Sequence, residues 1–251
     1  PTTLTSETQV RGHQGETWIF PIIYIRLFLE GMDEFSKIHY LIIDEMQDYT
    51  PIQFEVFKKM FTCPVLLIGD FTQSLTTINE MHLSDVQNYY PNAQSIFLTK
   101  SYRSTYEIIT CAKKIIDDHM IEPVLRHGMK PKKWVVSSQE EEISSILELV
   151  EQLRKQDLAT IALITKTLVR AYEWRGLLEN QGLACEVLTD ESTSLQENLS
   201  ICPLVQSKGL EFDAVIVVDA DEATYPGLLG RQQLFVAATR AMHALYFLQR
   251  E

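Results

Sequence analysis

None of the ten glycines is followed by lysine. A phosphate-cradling loop needs glycines that let backbone N–H groups face the phosphates, followed by Lys and Ser or Thr. The sequence therefore carries no such loop. The four cysteines, Cys63, Cys111, Cys185 and Cys202, stand far apart with no Cys-x-x-Cys pair, and the six histidines do not cluster at metal-ligand spacing. That leaves no zinc-module pattern and predicts reduced thiols in an intracellular, cytoplasmic protein. Apolar runs stay well short of the roughly 20 residues of a membrane span, so no membrane partner is expected. Proline is scarce as well, nine residues against 45% hydrophobic ones, a balance that predicts a folded globular chain.

Positive charge is also in short supply. The net charge is -12, the wrong sign for a domain that binds DNA mainly through a basic surface. Residues 1–100 carry 6 basic and 12 acidic groups, and the remainder carries 16 and 22. Neither stretch is an obvious nucleic-acid face, although a local basic groove is compatible with an acidic protein. The chain starts on Pro1, with neither a basic segment leading into an apolar core nor a small-residue cleavage site. That start is expected to be an internal boundary of a longer protein.

A chain of 251 residues is long enough for one large or two medium domains. Short β-branched runs recur at Tyr40–Asp44, Val65–Ile68, Ser95–Leu98, Trp134–Val136, Thr160–Ile164, Ala214–Val218 and Ala244–Leu248, and read as buried strands. Helical patterns lie between them. Ile143, Ile146, Leu147, Val150 and Leu153 follow Ser138, with Glu141 placed for a capping box. Thr50-Pro51 supplies a cap and first-turn proline for a helix burying Ile52, Val56 and Met60. Trp18–Leu29 reads as one apolar helix. The alternation predicts α/β layers around parallel sheets. It breaks at Thr76–Asn92, a turn-rich stretch, so a domain boundary is expected near Asn92.

The sharpest local signal is Leu41-Ile42-Ile43-Asp44-Glu45-Met46-Gln47-Asp48, an apolar strand that delivers two adjacent carboxylates to its carboxyl end. Open α/β sheets place ligands there. A magnesium nucleotide site needs one carboxylate for the hydrated metal and another to orient the attacking water. Asp44 and Glu45 suit those roles in that order, although an ordinary strand exit has the same sequence. A second run, Val65–Ile68, ends in Gly69-Asp70-Phe71-Thr72-Gln73-Ser74, where Gln73 is a candidate reporter of the γ-phosphate and a glycine turn is the alternative.

In order and spacing, these blocks resemble the UvrD-like superfamily 1 helicases. Asp44 to Asp48 is similar to the family's Walker B motif and Gly69 to Gln73 to motif III. Leu98-Thr99-Lys100-Ser101-Tyr102-Arg103-Ser104-Thr105 is similar to motif IV. Val205-Gln206-Ser207-Lys208-Gly209-Leu210-Glu211-Phe212-Asp213 resembles motif V, and Leu234 to Ala241 resembles motif VI. The resemblance implies two RecA-like α/β pieces of the P-loop NTPase class, a partial domain over 1–92 and a nearly complete one over 93–251. ATP and Mg2+ would be handled in the cleft between them. It further implies that Arg103 and Arg240 form a cationic clamp on the γ-phosphate, that Glu211 contacts the ribose, and that Lys208 and Gly209 couple nucleotide to nucleic acid. Arginine suits the clamp because its planar fork stays charged and binds phosphate oxygens bidentately.

Two positions depart from the family pattern. A histidine usually stands near Gln206 or Val205, and the base-stacking aromatic tail of motif III is replaced by Leu75-Thr76-Thr77. A third feature separates subfamilies. Arg103 and Val205 are about 100 residues apart, roughly what one RecA-like domain uses internally and too little for the extra domain of UvrD and Rep. In that compactness the chain most resembles HelD-like proteins, which implies a motor that releases or recycles RNA polymerase as the alternative to a DNA helicase or translocase with DNA as its partner. The fragment alone, without a Walker A loop, is expected to hydrolyse ATP negligibly. A non-catalytic binding module that kept the fold is the remaining alternative.

Overall fold

The structure is a computed structural model that describes residues 18–31, 37–75, 82–118, 120–192 and 199–250. The chain divides into two compact units between Ser95 and Ile96.

In the first unit, helix α1 (Ile19–Glu30) packs on α2 (Pro51–Met60). Strand β1 (Leu41–Ile43) pairs in parallel with β2 (Val65–Leu67), Ile43 opposite Leu67. Helix α2 starts where the Thr50-Pro51 signal puts it. The Gln53 side chain reaches back to Thr50, taking its amide at 2.6 Å and its hydroxyl at 2.8 Å, which satisfies a donor the helix leaves open. Lys58 and Lys59 in its last turn complement the helix dipole. Alternation along the two strands turns Ile43 inward with Met46, Phe54 of α2 and Val86 of α3 (Leu83–Tyr89). The opposite face, with Ile42 and Leu66 paired side by side, is exposed.

The second unit begins with a short parallel pair, β3 (Lys100–Ser101) with β4 (Glu122–Pro123), around α4 (Tyr106–Ile116). Then come β5 (Lys132–Val136), α5 (Gln139–Arg154), β6 (Ile161–Thr165), α6 (Leu168–Glu179), β7 (Cys185–Val187), β8 (Leu199–Pro203), β9 (Phe212–Val217), α7 (Gly227–Ala238) and β10 (Ala241–Arg250). Six strands form one parallel sheet in the order β5-β10-β9-β6-β8-β7. Every residue of β6 and β8 is buried, as expected of strands covered on both faces. Leu163, Ile201, Ile216 and Leu248 meet Ile146, Leu149, Leu153, Trp174 and Leu178 of α5 and α6. Helices α4 and α7 pack together and lie against β10 and β9. Each fully buried aliphatic side chain contributes about 1.5–3 kcal/mol, so this sheet is the stable platform of the unit.

Three expectations are corrected in detail. Ser95–Leu98 is not a strand: Ile96, Phe97 and Leu98 are exposed where the chain leaves the first unit, and the nearest strand residues are Lys100 and Ser101. Extended apolar residues form a strand only where another backbone offers a ladder. The turn-rich stretch before Asn92 contains α3, with Asp85 accepting the amide of His82 at 2.8 Å; residues 76–81 lie outside the described ones. Ser138 does cap α5, its hydroxyl taking the Glu141 amide at 3.2 Å, but the Glu141 carboxylate takes the amide and hydroxyl of Ser137 instead of closing a box. All four cysteines are free thiols, and burial pushes the Cys202 thiol up to about 12. Among the described residues, no helix is long and apolar enough to cross a membrane.

Candidate functional site

In the first unit, Asp44 and Glu45 leave the carboxyl end of β1 on a sharp turn. Glu45 holds a left-handed backbone, φ 51° and ψ 45°, which a non-glycine residue adopts at a cost of about 1–3 kcal/mol. The turn is held on both sides. Glu45 N–H donates to Asp44 Oδ1 at 2.9 Å, and the buried Gln47 donates Nε2 to the Glu45 carboxylate while its Oε1 takes the Asp70 amide at 3.0 Å. Gln47 therefore ties the exit of β1 to the exit of β2. The backbones meet there too, with Met46 N–H bonded to the Ile68 carbonyl at 2.9 Å. This approach demands glycine at 69, because a Cβ would sit on Gln47 Oε1 and within 2.6 Å of Met46 Cγ and 2.9 Å of Met46 N.

Asp70 in turn aims Gln73. One carboxylate oxygen takes the amide and hydroxyl of Thr72 at 2.9 and 2.6 Å, and the other takes Gln73 Nε2 at 2.7 Å. Asp44, Glu45 and Gln73 thus stand on two neighbouring strand exits linked through Gln47 and Asp70. Among the described residues, no group of three or more His, Cys, Asp or Glu side chains could cage a metal. Asp44 is exposed and offers a single carboxylate. That donor set fits hydrated Mg2+ delivered with phosphates, which needs only one or two protein carboxylates.

In the second unit, three segments far apart in sequence meet at the amino-terminal edge of the sheet, where β9 and β10 begin. Arg103 Nε pairs with Glu211, both side chains about 40% exposed. Phe212 N–H donates to the Arg240 carbonyl at 2.9 Å, and Ser104 Oγ donates to the Ala241 carbonyl at 2.6 Å. Arg240 itself is 2% exposed; its guanidinium turns back onto α7, with Nε on the Val236 carbonyl at 3.1 Å and Nη2 on Thr239 Oγ1 at 3.4 Å. Lys208 is half-buried in the turn after β8, and Gly209 beside it has φ 78° with open space around its Cα. The structure thus joins Arg103 to Glu211 directly and to the Arg240 segment through backbone.

Comparison with known proteins bears on these same segments. Residues 203–248, which carry Lys208, Glu211 and Arg240, match the model of the UvrD-like helicase C-terminal domain. The C-terminal domain of a possible DNA helicase from Lactobacillus plantarum WCFS1 superposes with a TM-score of 0.52 at 30% identity, covering 59% of this chain and 87% of that one. The chain belongs to the UvrD-like helicase C-terminal domain family. A putative ATP-dependent DNA helicase of Acanthamoeba polyphaga mimivirus is 30% identical over 95% of this chain, and the ATP-dependent DNA helicase Rep of Buchnera aphidicola subsp. Baizongia pistaciae is 27% identical over 52%. The chain spans 39% of the mimivirus relative and 19% of the Buchnera one.

The sequence alone leaves some residues of this UvrD-like site without a role. Gln47, Asp70 and Ser104 stand inside the recognised blocks, but nothing in their spacing says that they bridge two strand exits or two distant segments. The rule that α/β ligands gather at carboxyl strand ends also leads away from the second unit's cluster. There the carboxyl edge holds a closed ion-pair group, Arg170 to Asp219 at 2.7 and 2.9 Å and Arg250 to Glu142 at 3.0 Å, while Arg103, Glu211 and Arg240 lie at the opposite edge.

Proposed function

We propose that the chain is the ATP-handling part of a cytoplasmic superfamily 1 DNA helicase or translocase, acting in a protein that also supplies a phosphate-binding loop. One observation carries the reading. Arg103 and, more than 100 residues later, Glu211 and the Arg240 segment converge on a single edge of the second unit. A purely structural sheet edge has no need of two guanidinium-bearing segments bonded to one another.

In this reading residues 1–92 are the carboxyl-terminal part of the first RecA-like domain and residues 93–251 the second. Glu45 orients and deprotonates the attacking water, its carboxylate aimed by Gln47, and Gln73, held by Asp70, senses the γ-phosphate. Asp44 would hold Mg2+, which supplies charge neutralisation at the phosphates. Arg103 exchanges Glu211 for a phosphate oxygen, freeing Glu211 for the ribose, and Arg240 leaves its helix carbonyl to meet the charge that develops in the transition state. Lys208 and Gly209, on the turn after β8, pass the change to the nucleic acid.

The test is steady-state ATP hydrolysis by the full-length protein with and without single-stranded DNA. Turnover that Glu45→Gln abolishes supports the reading; hydrolysis unaffected by Glu45→Gln contradicts it. Residues 1–251 alone are expected to hydrolyse ATP negligibly.

A HelD-like motor acting on RNA polymerase is the second reading. It is favoured by the stretch between Arg103 and Val205, whose described residues build α4, β4, β5, α5, β6, α6, β7 and β8 of one compact unit. Tighter binding of the full-length protein to RNA polymerase than to a tailed duplex would select it. Tight, strongly salt-dependent DNA binding would select the helicase.

A further inference from the structure

Arg126 has no part in the roles assigned above, yet it is bonded through main chain and side chain to the segment that carries Arg103. It lies just past β4, on an exposed stretch. Its carbonyl accepts the Tyr106 amide at 2.8 Å, and its own amide donates to the Val124 carbonyl at 2.8 Å. Its Nη2 donates to the carbonyl of Arg103 and, at 3.5 Å, to the carbonyl of Met242. Met242 stands two residues beyond Arg240, so one side chain spans the two arginine-bearing segments.

The residues around Arg126 are fastened in the same direction. The Glu107 carboxylate takes His127 Nδ1 at 2.8 Å and the Gly128 amide at 2.8 Å, and those two bonds hold its carboxyl below the usual carboxylate range. Gly128 lies so close to the start of α4 that a Cβ there would reach Thr105 Cγ2 at 2.5 Å. Residues 126–128 are thereby strapped across the turn that presents Arg103.

We infer that Arg126 is a positioning residue that sets the spacing of the Arg103 and Arg240 main chains for nucleotide turnover. The inference rests on the reading of those arginines as γ-phosphate groups. Two guanidinium groups meant for the same oxygens must be placed to within a fraction of an ångström. A displacement of about 1 Å costs up to roughly 100-fold in rate. Arg126 reaches both segments through their main-chain carbonyls.

The experiment compares ATP hydrolysis by the full-length protein with Arg126→Ala, Arg126→Lys, Arg103→Ala and the double variant Arg103→Ala/Arg126→Ala, each corrected for folded fraction. Arg126→Ala is expected to lower kcat by about 10- to 100-fold with KM little changed. Lysine keeps the charge without the planar fork and restores part of the loss. The double variant is expected to be slower than Arg103→Ala by much less than the loss Arg126→Ala causes alone, because part of the Arg126 effect acts through the Arg103 segment. An unchanged kcat in Arg126→Ala, or losses that multiply in the double variant, overturns the inference. Should Arg126→Ala not fold, Arg126→Gln takes its place under the same two criteria. If Arg103→Ala itself turns over at the parent rate, the reading of the arginine site has failed, a result distinct from a silent Arg126.

Discussion

Ser104 Oγ donates to the carbonyl oxygen of Ala241 at 2.6 Å, across 137 residues of sequence, in a position closed to solvent. This bond fastens the Arg103 turn to the start of β10. Ser104→Ala leaves a buried carbonyl unpaired, which costs about 1–3 kcal/mol. Urea unfolding of the 251-residue chain checks this, the midpoint falling with an unchanged slope.

Arg103 and Glu211 behave oppositely. Their pair is half exposed, so solvent screening reduces it to about 0–1 kcal/mol. Arg103→Ala is expected to leave the unfolding midpoint nearly unchanged while lowering ATP turnover of the full-length protein by roughly 100-fold or more. Calorimetry and turnover measured on one preparation separate the two effects.

Gly69→Ala forces a methyl group onto Gln47 and the Met46 backbone. The link between the two strand exits must open, at a cost of about 1–3 kcal/mol typical of overpacking. Hydrogen exchange should report faster exchange at the Met46 and Asp70 amides, whose acceptors are Ile68 and Gln47. The amides of the six-stranded sheet should be unaffected.

The alternation of β-branched runs with amphipathic stretches was enough to read an α/β fold with parallel strands, because strands covered on both faces are apolar throughout. The caps at Thr50 and Ser138 were legible because they are local. Ser95–Leu98 was misread since an apolar triplet does not reveal whether a partner strand exists. β7 and β8 passed unnoticed for a related reason: Cys185–Val187 and Leu199–Pro203 are short and mix polar residues into the run. The pairing of Arg103 with Glu211 could be suspected only from the resemblance of the two blocks, and the bonds of Arg126 to Arg103 and Met242 left no trace in the sequence, because hydrogen bonds to carbonyl oxygens do not depend on the acceptor's side chain.

Glu142 gives the second unit a pH dependence. Its carboxylate is fully buried against Arg250 at 3.0 Å, with Oε1 lacking a hydrogen-bond partner among the described residues, and Asp219 and Arg170 also act on it. Burial raises its pKa, the guanidinium of Arg250 opposing this in part. A carboxyl whose folded pKa is raised binds its proton more readily in the folded state. Stability is then lost as pH rises from the ordinary value, about 4.3, through the raised one. Glu142→Gln removes that loss. Its melting temperature relative to the parent should therefore climb across this window; a constant difference would contradict the assignment.

The most direct test of the arginine site is the turnover number of the full-length protein carrying Arg240→Ala, corrected for folded fraction. Removing one preorganised charge contact from a transition state costs about 2.7–4 kcal/mol. The account therefore predicts a kcat lower by roughly 100- to 1,000-fold, with nucleotide still bound. Turnover at the parent rate would contradict it.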